Sequence, residues 1–266
     1  MERSAFRSDA KELIAASIIA VLMAFMDISG LPSSLFMNVR ISDIEPFYFT
    51  LMLNFVLTGI VCFLLLKAFC PHWTLGLKFK GTWQGLKKYG LAGIIALIVS
   101  SFAFYIGLQP FDYLPTFEKT LIEGFIYYIG VGIIEELYVR GLILNIIEKL
   151  FRNSRNAILW AVVISSVLFG LGHVFGALGS SPLTIVSKVT WTIGLGLYWG
   201  SLYKKTNNLW VPIILHIVMD FCGVPFCFST TNNYPTISLI IILPVYILLG
   251  VYGLSILIKK EAHLEL

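Results

Sequence analysis

Six polar side chains of the types that hydrolyse amide bonds are concentrated in three apolar stretches of the sequence. They are Glu135, Glu136 and Arg140 in the first stretch, His173 in the second, and His216 and Asp220 in the third. A buried glutamate can take a proton from water near neutral pH, and a histidine can assist it. Other donors in the set would stabilise the tetrahedral oxyanion. The pattern favours hydrolysis of an amide bond by activated water, without a covalent intermediate.

Helical spacing assigns different roles to the two adjacent glutamates. Glu136 and Arg140 are four residues apart and share a helix face, which suits a buried ion pair. Glu135 is rotated by about 100° from Glu136, which leaves its carboxylate freer for chemistry. His216 and Asp220 are again four residues apart. A carboxylate at that spacing can fix the tautomer of an imidazole.

Other polar and aromatic residues of the apolar stretches are assigned supporting roles or none. Phe169 lies four residues before His173, so its ring can form one wall of the site. Glu123 and Asp27 lie near the outer ends of their stretches, and the side chain of Lys188 can snorkel to the membrane surface. We therefore expect no chemistry from these three residues.

Small residues at helical spacing predict close helix packing around the site. The glycines concerned are Gly130 and Gly132, Gly172 and Gly176, and Gly196 and Gly200. Taken alone, they indicate only that neighbouring helices approach each other closely.

The elements that must position these groups are membrane helices. Of 266 residues, 58% are hydrophobic and 13% charged, against roughly 45–50% and about 25% in a soluble domain. A soluble protein is therefore excluded. The length permits about eight helices of roughly 20 residues, and continuous apolar runs favour helices over a barrel. The predicted spans are Leu13–Gly30, Phe47–Phe69, Tyr89–Gln109, Leu121–Ile147, Ala157–Gly176, Leu183–Tyr203, Leu209–Phe221 and Thr236–Ile258.

The positive charges predict the orientation of these spans, because Lys and Arg concentrate in cytoplasmic loops. With both termini inside, 15 of the 19 Lys and Arg residues face the cytosol, and only Arg40 and Lys119 lie in outside loops. The predicted fold is an all-α polytopic membrane protein that forms one domain over residues 1–266. A polar cavity is expected between the fourth, fifth and seventh helices. The basic loop around Lys78–Lys88 indicates contact with membrane lipid and no nucleic-acid partner.

The three polar stretches resemble the motifs of the CPBP family of intramembrane proteases, which includes the CAAX proteases and the bacteriocin-processing enzymes of the Abi family. Glu135, Glu136 and Arg140 match E-E-x-x-x-R, Phe169 and His173 match F-x-x-x-H, and His216 and Asp220 match H-x-x-x-N/D. The motifs occur in the family's order on separate predicted helices. The resemblance covers about residues 121–222, which would form the protease core.

The resemblance implies a role for each matching residue. Glu135 would be the general base on water, His173 its partner, and His216 with Asp220 the stabilisers of the oxyanion. Glu136 and Arg140 would give structural or electrostatic support. An ionised Asp220 would repel an oxyanion, so it can donate only if burial keeps it protonated. Otherwise it orients His216 or binds a metal.

Two questions stay open at the level of sequence. Glu135, His173, His216 and Asp220 could together ligate a divalent metal such as zinc, but no H-E-x-x-H is present, and we expect metal-free glutamate catalysis.

The preferred function is an intramembrane endopeptidase of the prokaryotic plasma membrane that cleaves membrane-associated peptides or lipidated protein tails. The alternative is a non-proteolytic membrane protein for bacteriocin self-immunity or peptide binding. A small proton-coupled transporter ranks last.

Overall fold

The computed structural model describes residues 2–29, 45–111, 116–231 and 233–259, and Arg40 lies outside them. Every regular element in these ranges is helical. The α-helices are α1 (Glu2–Ser29), α2 (Pro46–Phe69), α3 (Thr82–Gly107), α4 (Phe117–Glu136), α5 (Asn145–Leu150), α6 (Ala157–Gly172), α7 (Pro182–Thr206), α8 (Trp210–Met219) and α9 (Thr236–Ile258). A π-helical segment (Leu137–Leu144) joins α4 to α5 without a break, so the described part contains eight helices, as predicted. Two predicted spans end in 3₁₀ turns, at Phe175–Ala177 and Asp220–Phe228.

Six helical segments of the described residues are long and apolar enough to cross a membrane, which indicates an integral membrane protein. They are Asp9–Ser29, Pro46–Phe69, Thr82–Gly107, Ala157–Ala177, Trp210–Phe228 and Thr236–Ile258. Large apolar side chains such as Leu64, Ile98 and Leu248 point outward from them, as expected for a surface in contact with lipid. The predicted spans that correspond to α4 and α7 do not qualify, because these two helices carry more charged, polar and small residues.

The π-helical segment begins directly after the two glutamates of α4 and contains Arg140. π-Helices are rare and occur frequently at functional sites. Two side chains donate hydrogen bonds to the Gly141 carbonyl of this segment, in addition to the backbone hydrogen bonds of the helix. The indole Nε1 of Trp73 donates to it at 3.2 Å, and the Asn145 amide donates to it at 2.8 Å. These bonds satisfy a backbone acceptor within the irregular helix.

Glycines set the distance between several helices. A Cβ added at Gly132 of α4 would lie 2.6 Å from Ile217 Cγ1 of α8, and one at Gly196 of α7 would lie 2.8 Å from Ser166 Cβ of α6. The packing role predicted from the sequence is confirmed for these residues, and also for Gly130 and Gly200.

The packing role is wrong for Gly172 and Gly176. A Cβ at Gly172 would meet nothing within 4 Å among the described residues, and one at Gly176 would face only Lys188 Nζ, at 3.6 Å. Both glycines border a cavity and do not lie against a neighbouring helix.

Candidate active site

One carboxylate oxygen connects two of the three helices that carry the predicted site. Oε1 of Glu136 accepts a hydrogen bond from Arg140 Nη1 at 2.7 Å and from His216 Nδ1 at 2.8 Å. All three side chains are at most 3% exposed. The bond to Arg140 is the ion pair that the spacing of the two residues predicts. The bond to His216 joins α4 to α8.

His216 is oriented by Glu136, whereas its spacing from Asp220 suggested that Asp220 would fix the ring. Asp220 Oδ2 instead lies 3.5 Å from Nε2, on the other side of the imidazole. The close approach of α4 and α8 at Gly132 explains the difference, because Gly132 lies one turn before Glu136 and packs against the residue that follows His216. Since a carboxylate only accepts, Nδ1 carries a proton that it donates to Glu136.

Glu135 lies beside this cluster but is not hydrogen-bonded to it. Its Oε2 lies 3.5 Å from His216 Nε2 and has no hydrogen-bond partner among the described residues, although the atom is buried. A buried carboxylate oxygen without a partner is energetically unfavourable, and a bound water or a substrate group would satisfy it. The different directions of the two glutamates agree with the rotation expected for adjacent residues of a helix.

His173 is held at the end of α6 by its own helix. Its Nδ1 is bonded to the Phe169 carbonyl oxygen at 2.9 Å. Because a carbonyl only accepts, Nδ1 carries the proton, and Nε2 of the neutral ring is an acceptor. The Phe169 ring meets the His173 ring edge to face at 4.7 Å between centroids. Phe169 and His173 therefore pack together and line the same cavity.

All four residues proposed as catalytic line one cavity of ≈ 510 Å³. They are Glu135, His173, His216 and Asp220. A volume of this size is typical of sites that bind small molecules or short chain segments. Tyr234, in the loop before α9, also lines the cavity, and burial raises the pKa of its phenol, so the group remains a neutral donor.

Residues 115–222 match the family model described as Type II CAAX prenyl endopeptidase Rce1-like. This chain contains an Rce1-like domain of the CPBP/Abi family. The match includes all three motifs and leaves α1 to α3 and α9 outside it. A search of curated protein sequences found no significant match to the chain. The Rce1-like match gives no support to a role in bacteriocin immunity.

Aromatic rings enclose the charged cluster of the Rce1-like domain on two sides. The Trp199 indole stacks on His216 at 4.0 Å between ring centroids, with an angle of 21° between the planes. The guanidinium Cζ of Arg140 lies 4.3 Å from the centroid of Phe169 and 5.3 Å from that of Trp199. The position of the Arg140 guanidinium fits the attraction between positive charge and aromatic faces. Trp199 was missed from the sequence, where no motif or spacing distinguishes it.

Two residues to which the sequence assigned no chemistry also line the cavity of the Rce1-like domain. Asp27 of α1 accepts a hydrogen bond from Tyr138 Oη at 3.0 Å, although α1 lies outside the matched segment. Lys188 of α7 points into the cavity near Gly176. Glu123, by contrast, accepts from the Glu45 amide and pairs with Lys119 at 3.6 Å, away from the cavity. The sequence contains the charges of Asp27 and Lys188 but not the tertiary contacts that bring them to the site.

A metal is the remaining candidate component of the site. No three His, Cys, Asp or Glu side chains within the described ranges are grouped so that they could hold a metal ion. His216 is also engaged through Nδ1 with Glu136, which draws the ring toward the ion pair. The described donors therefore do not form a ready metal centre, and the chemistry below is derived from the protein side chains.

Proposed function

We propose that this protein is an intramembrane endopeptidase in which Glu135 and His173 activate a water molecule. The observation that carries the proposal is the buried Oε2 of Glu135. It lacks a hydrogen-bond partner among the described residues, lies 3.5 Å from His216 Nε2, and faces a cavity shared with His173. The Rce1-like match supports the reaction class, since the family is named for peptide-bond cleavage.

The first chemical step is proton transfer from water. Glu135 takes the proton while Nε2 of His173 accepts the second hydrogen of the same water and orients it. The oxygen then attacks the carbonyl carbon of the peptide bond and forms a tetrahedral oxyanion. When the C–N bond breaks, Glu135 returns its proton to the leaving amine. No covalent bond forms between protein and substrate.

The oxyanion is stabilised by His216, whose Nε2 lies 3.5 Å from Glu135 Oε2. Because Nδ1 donates to Glu136, Nε2 can donate only when the ring carries both protons. Three carboxylates around the ring favour this charged form: Glu136 at Nδ1, and Glu135 and Asp220 each 3.5 Å from Nε2. Asp220 therefore acts through His216 and need not touch the oxyanion. Arg140 holds Glu136, and Phe169 and Trp199 keep the cluster in place.

The substrates that fit this site are peptides or lipidated protein tails that enter from the membrane. The apolar outer surface of the helices supports substrates that are themselves anchored in lipid. The short loops and the distribution of Lys and Arg favour a prokaryotic plasma membrane with both termini in the cytosol. The whole chain would act as one membrane domain.

The proposal is tested with the purified protein in detergent and an internally quenched, farnesylated peptide that ends in C-V-I-M, alongside its unprenylated form. Glu135→Gln is expected to lower kcat by at least about 100-fold, since a neutral amide cannot act as a base. His173→Ala should also lower kcat. Glu118→Gln, the same change at an exposed position of α4, is the matched control and should leave the rate unchanged.

Two results would contradict the proposal. One is cleavage by folded Glu135→Gln protein at the wild-type rate. The other is a monodisperse wild-type protein that cleaves neither form of the peptide.

A further inference from the structure

Lys188 brings an ammonium group into a cavity that is also lined by several carboxyl groups. It is the only Lys or Arg among the described residues that line the cavity. Asp27, Glu135 and Asp220 contribute three carboxyl groups to the same lining. None of the steps derived above uses Lys188. A cation retained in this position therefore needs its own explanation.

The side chain is placed by the cavity-facing side of α7. Lys188, Thr192, Leu195 and Trp199 recur at intervals of three to four residues, and all four line the cavity. Trp199 stacks on His216, so this row of four α7 residues begins at the proposed catalytic centre. The 11 residues from Trp199 to Lys188 rise by about 16 Å along the helix axis.

The ammonium group lies beside the turn that follows His173. A Cβ at Gly176 would be 3.6 Å from Lys188 Nζ, and Gly172 faces open space within 4 Å among the described residues. Gly176 therefore lies next to the ammonium without a side chain, and Gly172, one turn earlier, borders the same cavity without one. This absence of side chains leaves room for an extended peptide backbone next to the cation.

Lys188 has no partner of its own in the described part of the protein. Its ammonium makes no hydrogen bond or ion pair there, and Glu135 and Asp220 attract it only from beyond ion-pair distance. The side chain is half-buried, so water compensates its charge only in part. An anion that enters the cavity would gain an ion pair at this position.

We propose that Lys188 binds a carboxylate of the substrate chain and thereby positions the peptide for cleavage. The inference rests on the function proposed above. A single negative charge matches a single ammonium, whereas a phosphate would bring more charge into a cavity that already holds three carboxyl groups. With about 3.3 Å per extended residue, the carboxylate lies within about five residues of the cleaved bond. It belongs either to the C-terminus or to an acidic side chain of the substrate.

The test measures binding and does not require turnover. A dansylated, farnesylated peptide that ends in C-V-I-M is titrated onto Glu135→Gln protein in phosphatidylcholine nanodiscs, as the free acid and as the C-terminal amide. A third peptide carries a Glu residue before an amidated terminus. The acid is expected to bind roughly 10- to 100-fold more tightly than the amide, as for a charge-assisted hydrogen bond. Tight binding of the third peptide would instead assign the site to an acidic side chain.

Variants of Lys188 identify the group responsible. In the Glu135→Gln background, Lys188→Gln should remove the preference for the acid, and Lys188→Arg should retain most of it. Lys87→Gln, which neutralises an exposed lysine of α3, should leave the preference intact. If Lys188 only stabilised the fold, Lys188→Gln would weaken the binding of the acid and of the amide equally.

Several outcomes would overturn the inference. They are equal affinity for all three peptides, no binding of the acid to folded protein, survival of the preference in Lys188→Gln, and equal weakening of all peptides by that change. Competition by phosphatidylglycerol in the nanodiscs that vanishes in Lys188→Gln would assign the cation to lipid instead. Failure of the wild type to cleave the peptide would contradict the proposed function, but the binding result would still decide the role of Lys188.

Discussion

At the scale of residues, the site depends on how one oxygen of Glu136 is shared. Arg140 and His216 both donate to Oε1, while Oε2 of Glu136 and Nη2 of Arg140 are buried without hydrogen-bond partners among the described residues. The hydrogen-bonding groups of the cluster are therefore only partly satisfied. Removing the charge of either Glu136 or Arg140 alone should destabilise the protein more than removing both charges.

Replacement of Arg140 tests this balance. Arg140→Met leaves the Glu136 carboxylate buried without its guanidinium and should lower the free energy of unfolding by about 3–5 kcal/mol. Adding Glu136→Gln should recover part of the loss, because the unpaired charge is then removed. The unfolding free energies of the single and double variants are measured by SDS titration in mixed micelles. Arg152→Met, at a largely exposed pair with Asp9 3.8 Å away, is the control and should cost less than about 1 kcal/mol. Equal losses in the single and double variants would show that burial of charge is not the cause.

The sequence predicted contacts within one helix better than contacts between helices. The pair of Glu136 and Arg140 follows directly from a spacing of four residues. The bond from His216 to Glu136 depends on how closely α4 and α8 approach, which the spacing within either helix does not contain. Trp199 and Asp27 were missed for the same reason, since their contacts come from α7 and α1.

At the scale of elements, the π-helical segment determines where Arg140 points. Its wider turn shifts every later side chain of the helix relative to α4. The α2–α3 loop contributes to this geometry, because Trp73 donates to the Gly141 carbonyl and its ring lies 4.4 Å from Lys149 Nζ. The loop is thus connected to the segment that carries Arg140.

Loss of the Trp73 donor should loosen this segment. Trp73→Phe keeps an aromatic ring but removes the hydrogen bond, which should cost about 1 kcal/mol of unfolding free energy. We also expect a lower kcat for peptide cleavage, because the helix that carries Glu135 and Arg140 is less well fixed. Trp83→Phe is the control, since Trp83 is exposed. An unchanged kcat in Trp73→Phe would show that the bond does not support the site.

The elements were predictable where apolar runs end at charges or turn residues. The last span, Thr236–Ile258, was predicted with the bounds that α9 has. The fourth span was predicted as one regular helix, because hydrophobic periodicity does not reveal a local change from α to π hydrogen bonding. The predicted spans that correspond to α6 and α8 ended at Gly176 and Phe221, so they included only the first two residues of each following 3₁₀ turn.

At the scale of the whole molecule, two of the less apolar helices, α4 and α7, carry or line the site. α4 packs mainly against α2 and α8, and α7 packs against α9 and α6. The neighbouring helices expose large apolar side chains on their outer faces. Shielding by apolar neighbours lets polar helices persist in lipid.

The contact between α7 and α9 should be sensitive to any added volume. A Cβ at Gly194 would collide with the backbone carbonyl of Tyr246, which cannot rotate away as a side chain could. Gly194→Ala is expected to lower the free energy of unfolding by about 1–3 kcal/mol. Gly124→Ala is the control, because its new methyl would meet neighbours at an ordinary 3.7 Å. Equal stability of the two variants in SDS titration would contradict the close packing.

The hydrogen bond between Tyr138 and Asp27 joins the matched domain to a helix far outside it in sequence. The three motifs and part of the cavity wall therefore belong to different portions of the chain. Substitutions in the first helix can reshape the pocket while the three motifs stay constant, which offers a route to new selectivity. Exchanging this helix between relatives is accordingly a rational way to build chimaeras with altered peptide preference.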